Sequence, residues 1–208
     1  MKKFVLMLCG LATVLPAGAT LFSTNWNGGF ANAGIVPDNN LSGWADTRSL
    51  SGLSGTISDI SVNLHLTGGW NGDLYAYLVH GSGFTVLLNR VGTPGQPFGY
   101  GDAGLNVTFT DSASVNIHNY GGGFVPTGNY LADGAGFAGG NFLGLDPNGS
   151  WSLFVADYSA GGVTTVQSWG LQMDIVAVPE VETWVAAALA GLFGAYWVNR
   201  QVMGAKRG

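Results

Sequence analysis

Charged side chains are scarce in this sequence, 9% of 208 residues, against about a quarter in ordinary soluble chains. Between the basic start and Pro179 the chain has no glutamate, and only Arg48 and Arg90 stand against ten aspartates. A surface of that sign repels phosphate backbones and excludes nucleic acid as a partner. Cysteine is limited to Cys9, which leaves no disulfide framework and no thiolate zinc site for the domain that follows it. A Gly-x-Ser-x-Gly elbow is missing, and the chain has no room for the large α/β catalytic domain of a subtilisin. No period of about 20 to 50 residues recurs, which argues against a solenoid or propeller.

Glycine and aromatics are abundant: 35 Gly, 7 Trp and 12% aromatic overall. Alternating apolar stretches separate the glycines, a composition of many short strands joined by tight turns and not of disorder. In "TISDISVNLHL" Ile60, Val62, Leu64 and Leu66 face one way, while Ser61, Asn63 and His65 face the other. A turn follows in which the Asn71-Gly72 pair suits positive φ. "LYAYLVH", apolar on both faces, predicts a central strand buried on both sides. "GSG" then turns the chain into "FTVLLNRV", opening a meander.

Beyond the loop "GTPGQPFGYGD", Leu105, Val107 and Phe109 share one face, and "SVNIHNY" predicts a further strand. Two strands close the domain, presenting Trp151, Leu153 and Val155, then Trp169, Leu171, Met173 and Ile175, to the interior. Residues 20–49 are polar and turn-rich and fit either a loose arm or an edge strand. The expected fold is all-β, a jelly-roll β-sandwich of about eight strands.

Both ends read as addresses. "MKKFVLMLCGLATVLPAGATLF" combines two lysines, an apolar core and Ala17-Gly18-Ala19, the layout of a secretory signal peptide cleaved after Ala19. Leu8 precedes Cys9 where a lipoprotein signal needs a small residue. At the other end an uncharged apolar stretch, 183–198, would span about 24 Å as a helix, enough with flanking anchors for a bilayer core of about 30 Å. Trp184, Tyr196 and Trp197 flank it, and Arg200, Lys206 and Arg207 would hold the tail in the cytoplasm. The expected organisation is therefore a signal peptide at 1–19, the arm or edge strand at 20–49, the sandwich at 50–177 and a sorting segment at 178–208 with one transmembrane helix.

Two resemblances add to this reading. Val178-Pro179-Glu180, then an apolar helix and a basic end, resembles the PEP-CTERM sorting signal, with Val181 where that family's second proline usually stands. The resemblance implies an exosortase-type enzyme of the inner membrane as partner, and delivery to the cell envelope or extracellular matrix. Gly72-Asp73-Leu74 with Leu87-Leu88-Asn89-Arg90, then Asn148-Gly149, Trp151, Leu153, Asp157, Ser168, Trp169 and Leu171 resemble the P domain, or P/Homo B domain. That domain follows the catalytic domain of proprotein convertases and many bacterial subtilisin-like proteases. The likeness runs from Ile57 to Met173 and implies a jelly-roll sandwich that accompanies a serine protease without being one.

The chemistry available is correspondingly limited. His65 lies on a polar strand face, His80 at a strand end and His118 in an expected strand, all read as surface residues, with no nucleophile beside them to form a triad. Most aspartates, Asp59, Asp102 and Asp146 among them, sit where Asp caps local N–H groups, with nothing to mark a glycosidase pair. Calcium, which takes oxygen ligands, is the cofactor these aspartates would suit, with Asp73, Asp111 and Asp157 at strand boundaries as its ligands. Trp26, Trp44, Trp70 and Tyr100 lie in loop-like sequence; Trp70 and Tyr100 are the candidate stacking contacts for a glycan such as exopolysaccharide. The sequence thus predicts an exported, membrane-tethered or sorted, non-catalytic module with a structural or interaction role. The alternatives are an accessory domain for a separate secreted subtilisin-like protease and a carbohydrate-binding module.

Overall fold

The computed structural model describes residues 18–93, 95–178 and 181–205, with side chains of the last segment described over 188–200 and at 203. Nine strands are present among the described residues: β1 (Thr20–Trp26), β2 (Asn40–Leu50), β3 (Thr56–Gly68), β4 (Leu74–His80), β5 (Gly83–Asn89), β6 (Leu105–Thr110), β7 (Thr127–Tyr130), β8 (Gly149–Asp157) and β9 (Thr164–Val176). They form a five-stranded sheet, β1-β9-β3-β6-β7, and a four-stranded sheet, β2-β8-β4-β5. Apart from the short strand β7, which joins β6 in parallel, the pairs nest as one long hairpin folded over: β4 with β5, β3 with β6, β2 with β8, β1 with β9. This is jelly-roll connectivity. The chain changes sheets between β3 and β4, so the expected meander is confined to the β4–β5 hairpin.

Period-two alternation places the core. Ile60, Val62, Leu64 and Leu66 of β3 are buried, as are Trp151, Leu153 and Val155 of β8 and Trp169, Leu171, Met173 and Ile175 of β9. Fully burying such a side chain stabilises by about 1.5–3 kcal/mol each. The segment left open between arm and edge strand supplies β1 and β2, one at an edge of each sheet. Arg48 and Asp46 of β2 clip these edges together. Arg48 pairs with Asp46 at 2.7 Å, lies over the rings of Trp26 and Phe30, and donates to the Gly28 carbonyl at 2.8 Å, while Trp169 Nε1 donates to Asp46 at 2.7 Å. Trp26 and Trp44, expected in loops, are therefore in strands. Trp44 is buried with its Nε1 donating to the Ala31 carbonyl, and Trp26 packs at 4.4 Å on Trp169.

Three further expectations are corrected. Gly72 has no positive φ, because Asn71–Asp73 forms a 3-10 turn; Gly68 and Gly69 take the left-handed conformation instead. His118 lies in another 3-10 turn, Ile117–Asn119, capped by the Asn116 side chain, and not in a strand. β4 is central but not buried on both sides: Leu74, Ala76, Leu78 and His80 face the core, whereas Tyr75, Tyr77 and Val79 are half-buried.

Among the described residues two α-helices are present, α1 (Gly136–Gly139) and α2 (Val181–Ala205). Among the described residues no helix is long and apolar enough to cross a membrane. Residues 183–187 of the expected span lie outside the described side chains. Large apolar residues of α2, including Leu192, Phe193, Tyr196 and Trp197, are exposed.

Candidate functional site

The outer face of the four-stranded sheet carries no charge. Antiparallel register aligns Tyr77 with Phe154 of β8 and Val86 of β5, and Val79 with Phe84. β2 contributes Ala45 and Thr47 opposite Phe154 and Ser152. Five aromatic rings form a continuous band across this face. Tyr77 stacks on Phe154 at 4.7 Å and 18°, meets Phe84 at 5.3 Å and Tyr75 at 6.1 Å, and Tyr75 meets Tyr158 at 6.1 Å. Phe84 and Tyr158 are exposed. Burial, then the neighbouring Tyr158 and Tyr77, push the Tyr75 phenol above its ordinary range, so its hydroxyl stays a neutral donor and acceptor at physiological pH.

Sequence reasoning missed this face because "LYAYLVH" looks equally apolar on its two sides. The available signal was the difference in kind: Leu74, Ala76 and Leu78 on one side, tyrosines on the other. Tyrosine combines an apolar body with a polar tip and so suits a half-buried surface.

A cleft of about 350 Å³ opens at one end of the same sheet, lined by Trp70, Asp73, Phe98, Gly99, Gly101, Ser159 and Ala160. It adjoins the aromatic band, since Tyr158 N donates to the Asp73 carbonyl at 2.9 Å. Gly72 shapes its wall: a Cβ there would lie 2.4 Å from the Phe98 carbonyl oxygen and 2.6 Å from Gly99 Cα. The Phe98–Tyr100 loop sits this close only because residue 72 has no side chain, and Gly72 N donates to the Tyr100 carbonyl at 2.8 Å.

Of the expected calcium ligands, Asp73 and Asp157 come together, both buried, because β4 and β8 are neighbours with Leu74 opposite Asp157. Burial raises both carboxyls above the ordinary range; Asp38 adds to each, while Ser159 and Arg90 oppose the shift at Asp73. Asp111 lies elsewhere and caps α1, accepting from Phe137 N at 2.9 Å and Ala138 N at 2.8 Å. Among the described residues no group of three His, Cys, Asp or Glu side chains is disposed to hold a metal ion.

The two expected glycan contacts part company. Trp70 lines the cleft with its ring half-exposed, but Tyr100 packs on Tyr120 at 4.6 Å between Gly92 and Gly122, whose Cβ positions its ring would block. Tyr120 in turn donates to Asp102 at 2.7 Å. Of the sorting and cleavage residues, Ala19 is exposed immediately before β1 and Val178 is exposed beyond β9, whereas Ala17, Pro179 and Glu180 lie outside the described residues.

His80, read from sequence as a surface residue, is a core residue. Its ring stacks on Trp151 at 3.8 Å and 3°, and its nitrogens lie 3.0 and 2.7 Å from the carbonyl oxygens of Ser150 and Asp146. His118 is held between Asp133 and the Thr93 carbonyl. Both rings have their nitrogens engaged by backbone or carboxylate oxygens.

No protein-family model matches the chain, and no curated protein matches it. Among solved structures it is similar to a serine protease of Aeromonas sobria in complex with the chaperone ORF2, with TM-score 0.48 and 15% identity over 77% of this chain. It is also similar to the serine protease of Aeromonas sobria, with TM-score 0.45 and 16% identity over 76% of this chain. In each case the chain spans 27% of the length of the chain it matches.

Proposed function

We propose that this chain is an exported, non-catalytic β-sandwich module that docks on a partner protein through the aromatic outer face of its four-stranded sheet. One observation carries the reading: Tyr75, Tyr77, Phe84, Phe154 and Tyr158 form an unbroken aromatic band on a sheet face without a charged residue. Tyrosine-rich, charge-poor surfaces are where binding energy concentrates at protein interfaces. A glycan is the poorer occupant. Sugars stack on free ring faces, whereas Tyr77 and Phe154 lie face to face with each other.

The P-domain resemblance supplies the partner class, a secreted subtilisin-like protease that the module accompanies. Its motif tryptophans, Trp151 and Trp169, are fully buried in the two facing sheets. Engagement of both nitrogens of His80 and His118 by fixed oxygens supports a non-catalytic role, because a general base needs a free nitrogen within reach of the proton it takes. Export is supported by β1 beginning at Thr20, directly after the expected cleavage at Ala19. The exposed apolar residues of α2 support the C-terminal segment as an envelope address.

The test is a photo-crosslinking residue placed at Phe84 in the producing cell, with a second at Asn63 on the outer face of the other sheet as control. A discrete protein adduct from position 84 alone is expected. Adducts at both positions, or polysaccharide in place of protein, would overturn the reading.

A further inference from the structure

The cleft at the end of the aromatic band has chemistry of its own. Two of its walls are the aromatic rings of Trp70, 43% exposed, and Phe98, 79% exposed, while the Asp73 carboxylate beneath them belongs to a residue only 3% exposed. Around that carboxylate stand Asp38, Asp157 and one cation, Arg90. Arg90 is turned to the backbone, its Nε directed at the Gly72 carbonyl at 3.4 Å. Three carboxylates to one guanidinium leave the site short of positive charge.

We infer that this cleft takes the arginine side chain of a partner protein. A guanidinium is the cation that answers both features at once. Its flat face stacks on indole and phenyl rings, and its edge donates to a carboxylate. An ammonium is attracted to a ring face but has no flat surface to stack on it and no planar edge to pair with a carboxylate, and a sugar would leave the acidic surplus unanswered. Ser159, which lines the cleft and donates its N–H to Asp157 at 3.0 Å, offers a further hydroxyl acceptor. Because Asp73 directly precedes Leu74 of β4 and Ser159 directly follows Tyr158, an arginine seated here projects from a partner lying on the aromatic face. The inference rests on the docking reading only for the source of that arginine.

The experiment is calorimetric titration of the purified full chain with N-acetyl-arginine amide and with the citrulline analogue, which has the same shape without the charge. Saturable arginine binding is expected, with citrulline weaker by about tenfold or more. Asp73→Asn should weaken arginine binding to a similar degree. Trp70→Ala and Phe98→Ala, at ring positions open to solvent, should each weaken it about fivefold and keep the unfolding transition of the parent, so the result does not depend on Asp73→Asn folding. Equal affinity for citrulline, affinity unchanged in both ring variants, or no saturation by about 50 mM would overturn the assignment. Saturation by methyl glucoside or calcium ion without arginine binding would overturn it in favour of a sugar or an ion. None of these outcomes touches the crosslink at Phe84, so the two readings fail separately.

Discussion

Replacing His80 with alanine separates a buried structural histidine from a catalytic one. The ring is 4% exposed, lies parallel to Trp151 at 3.8 Å and reaches two backbone carbonyls. Truncation leaves a cavity beside Trp151, one of the tryptophans of the core, at a cost of about 2–4 kcal/mol. It also loses a stacked pair worth about 0.5–1.5 kcal/mol and a hydrogen bond to a buried carbonyl worth about 1 kcal/mol. These contributions overlap, and a net loss of about 3–5 kcal/mol is expected. For a domain of this size that lowers Tm by roughly 10 °C or more. His80→Phe keeps the stack and loses only the polar contacts, so a loss of about 1–2 kcal/mol is expected. Urea unfolding followed by tryptophan fluorescence, with calorimetry on the same samples, reads both. An alanine variant within about 0.5 kcal/mol of the parent would refute the packing argument and reopen a functional role for the ring.

Three further predictions follow from the carboxylates and from one glycine. Burial holds the folded-state carboxyls of Asp73 and Asp157 above the 3.8 of an exposed aspartate. Their protonated forms are therefore favoured by folding, and this contribution to stability is lost as pH rises from 3.8 through the folded values. Tm should accordingly rise as pH falls from neutral toward the ordinary carboxylate range, and Asp157→Asn should flatten that rise; an unchanged slope in a calorimetric pH series would contradict it. Asp111→Ala, which removes the cap on the N–H groups of Phe137 and Ala138, should cost about 1–2 kcal/mol in urea unfolding whether or not calcium is present. Gly72→Ala drives a methyl into the Phe98 carbonyl. It should cost about 1–3 kcal/mol and weaken arginine binding in the same titration, because the Phe98 loop must move away.

Strands β3, β8 and β9 were legible because each alternates cleanly and the last two carry a tryptophan on the inward face. β4 was legible as a strand but not in its exposure: "LYAYLVH" is apolar in both registers, and only the distinction between aliphatic and tyrosine positions separates core from surface. The same alternation places His80 on the face of Leu74, Ala76 and Leu78, so its burial was available from spacing. Trp26 and Trp44 were hidden by polar, turn-rich neighbours, since edge strands need only one apolar face. The meeting of Asp73 with Asp157 depends on β4 lying beside β8, a pairing of distant segments that no local pattern encodes. Phe98 joins Trp70 for a similar reason. The contact runs through the Gly72–Gly99 approach, which only the folded chain reveals.

Where the chain works, the aromatic face is expected to be covered by a protein partner. Hydroxyl-radical footprinting of the producing cells, compared with the purified full chain, measures this directly. Tyr77, Phe84 and Phe154 should be oxidised much less in the cell than in the purified protein, while Phe124, which is exposed and packs on Tyr120 instead of on a ring of the band, should be oxidised equally in both. Equal oxidation of the band residues in the two samples would contradict the claim.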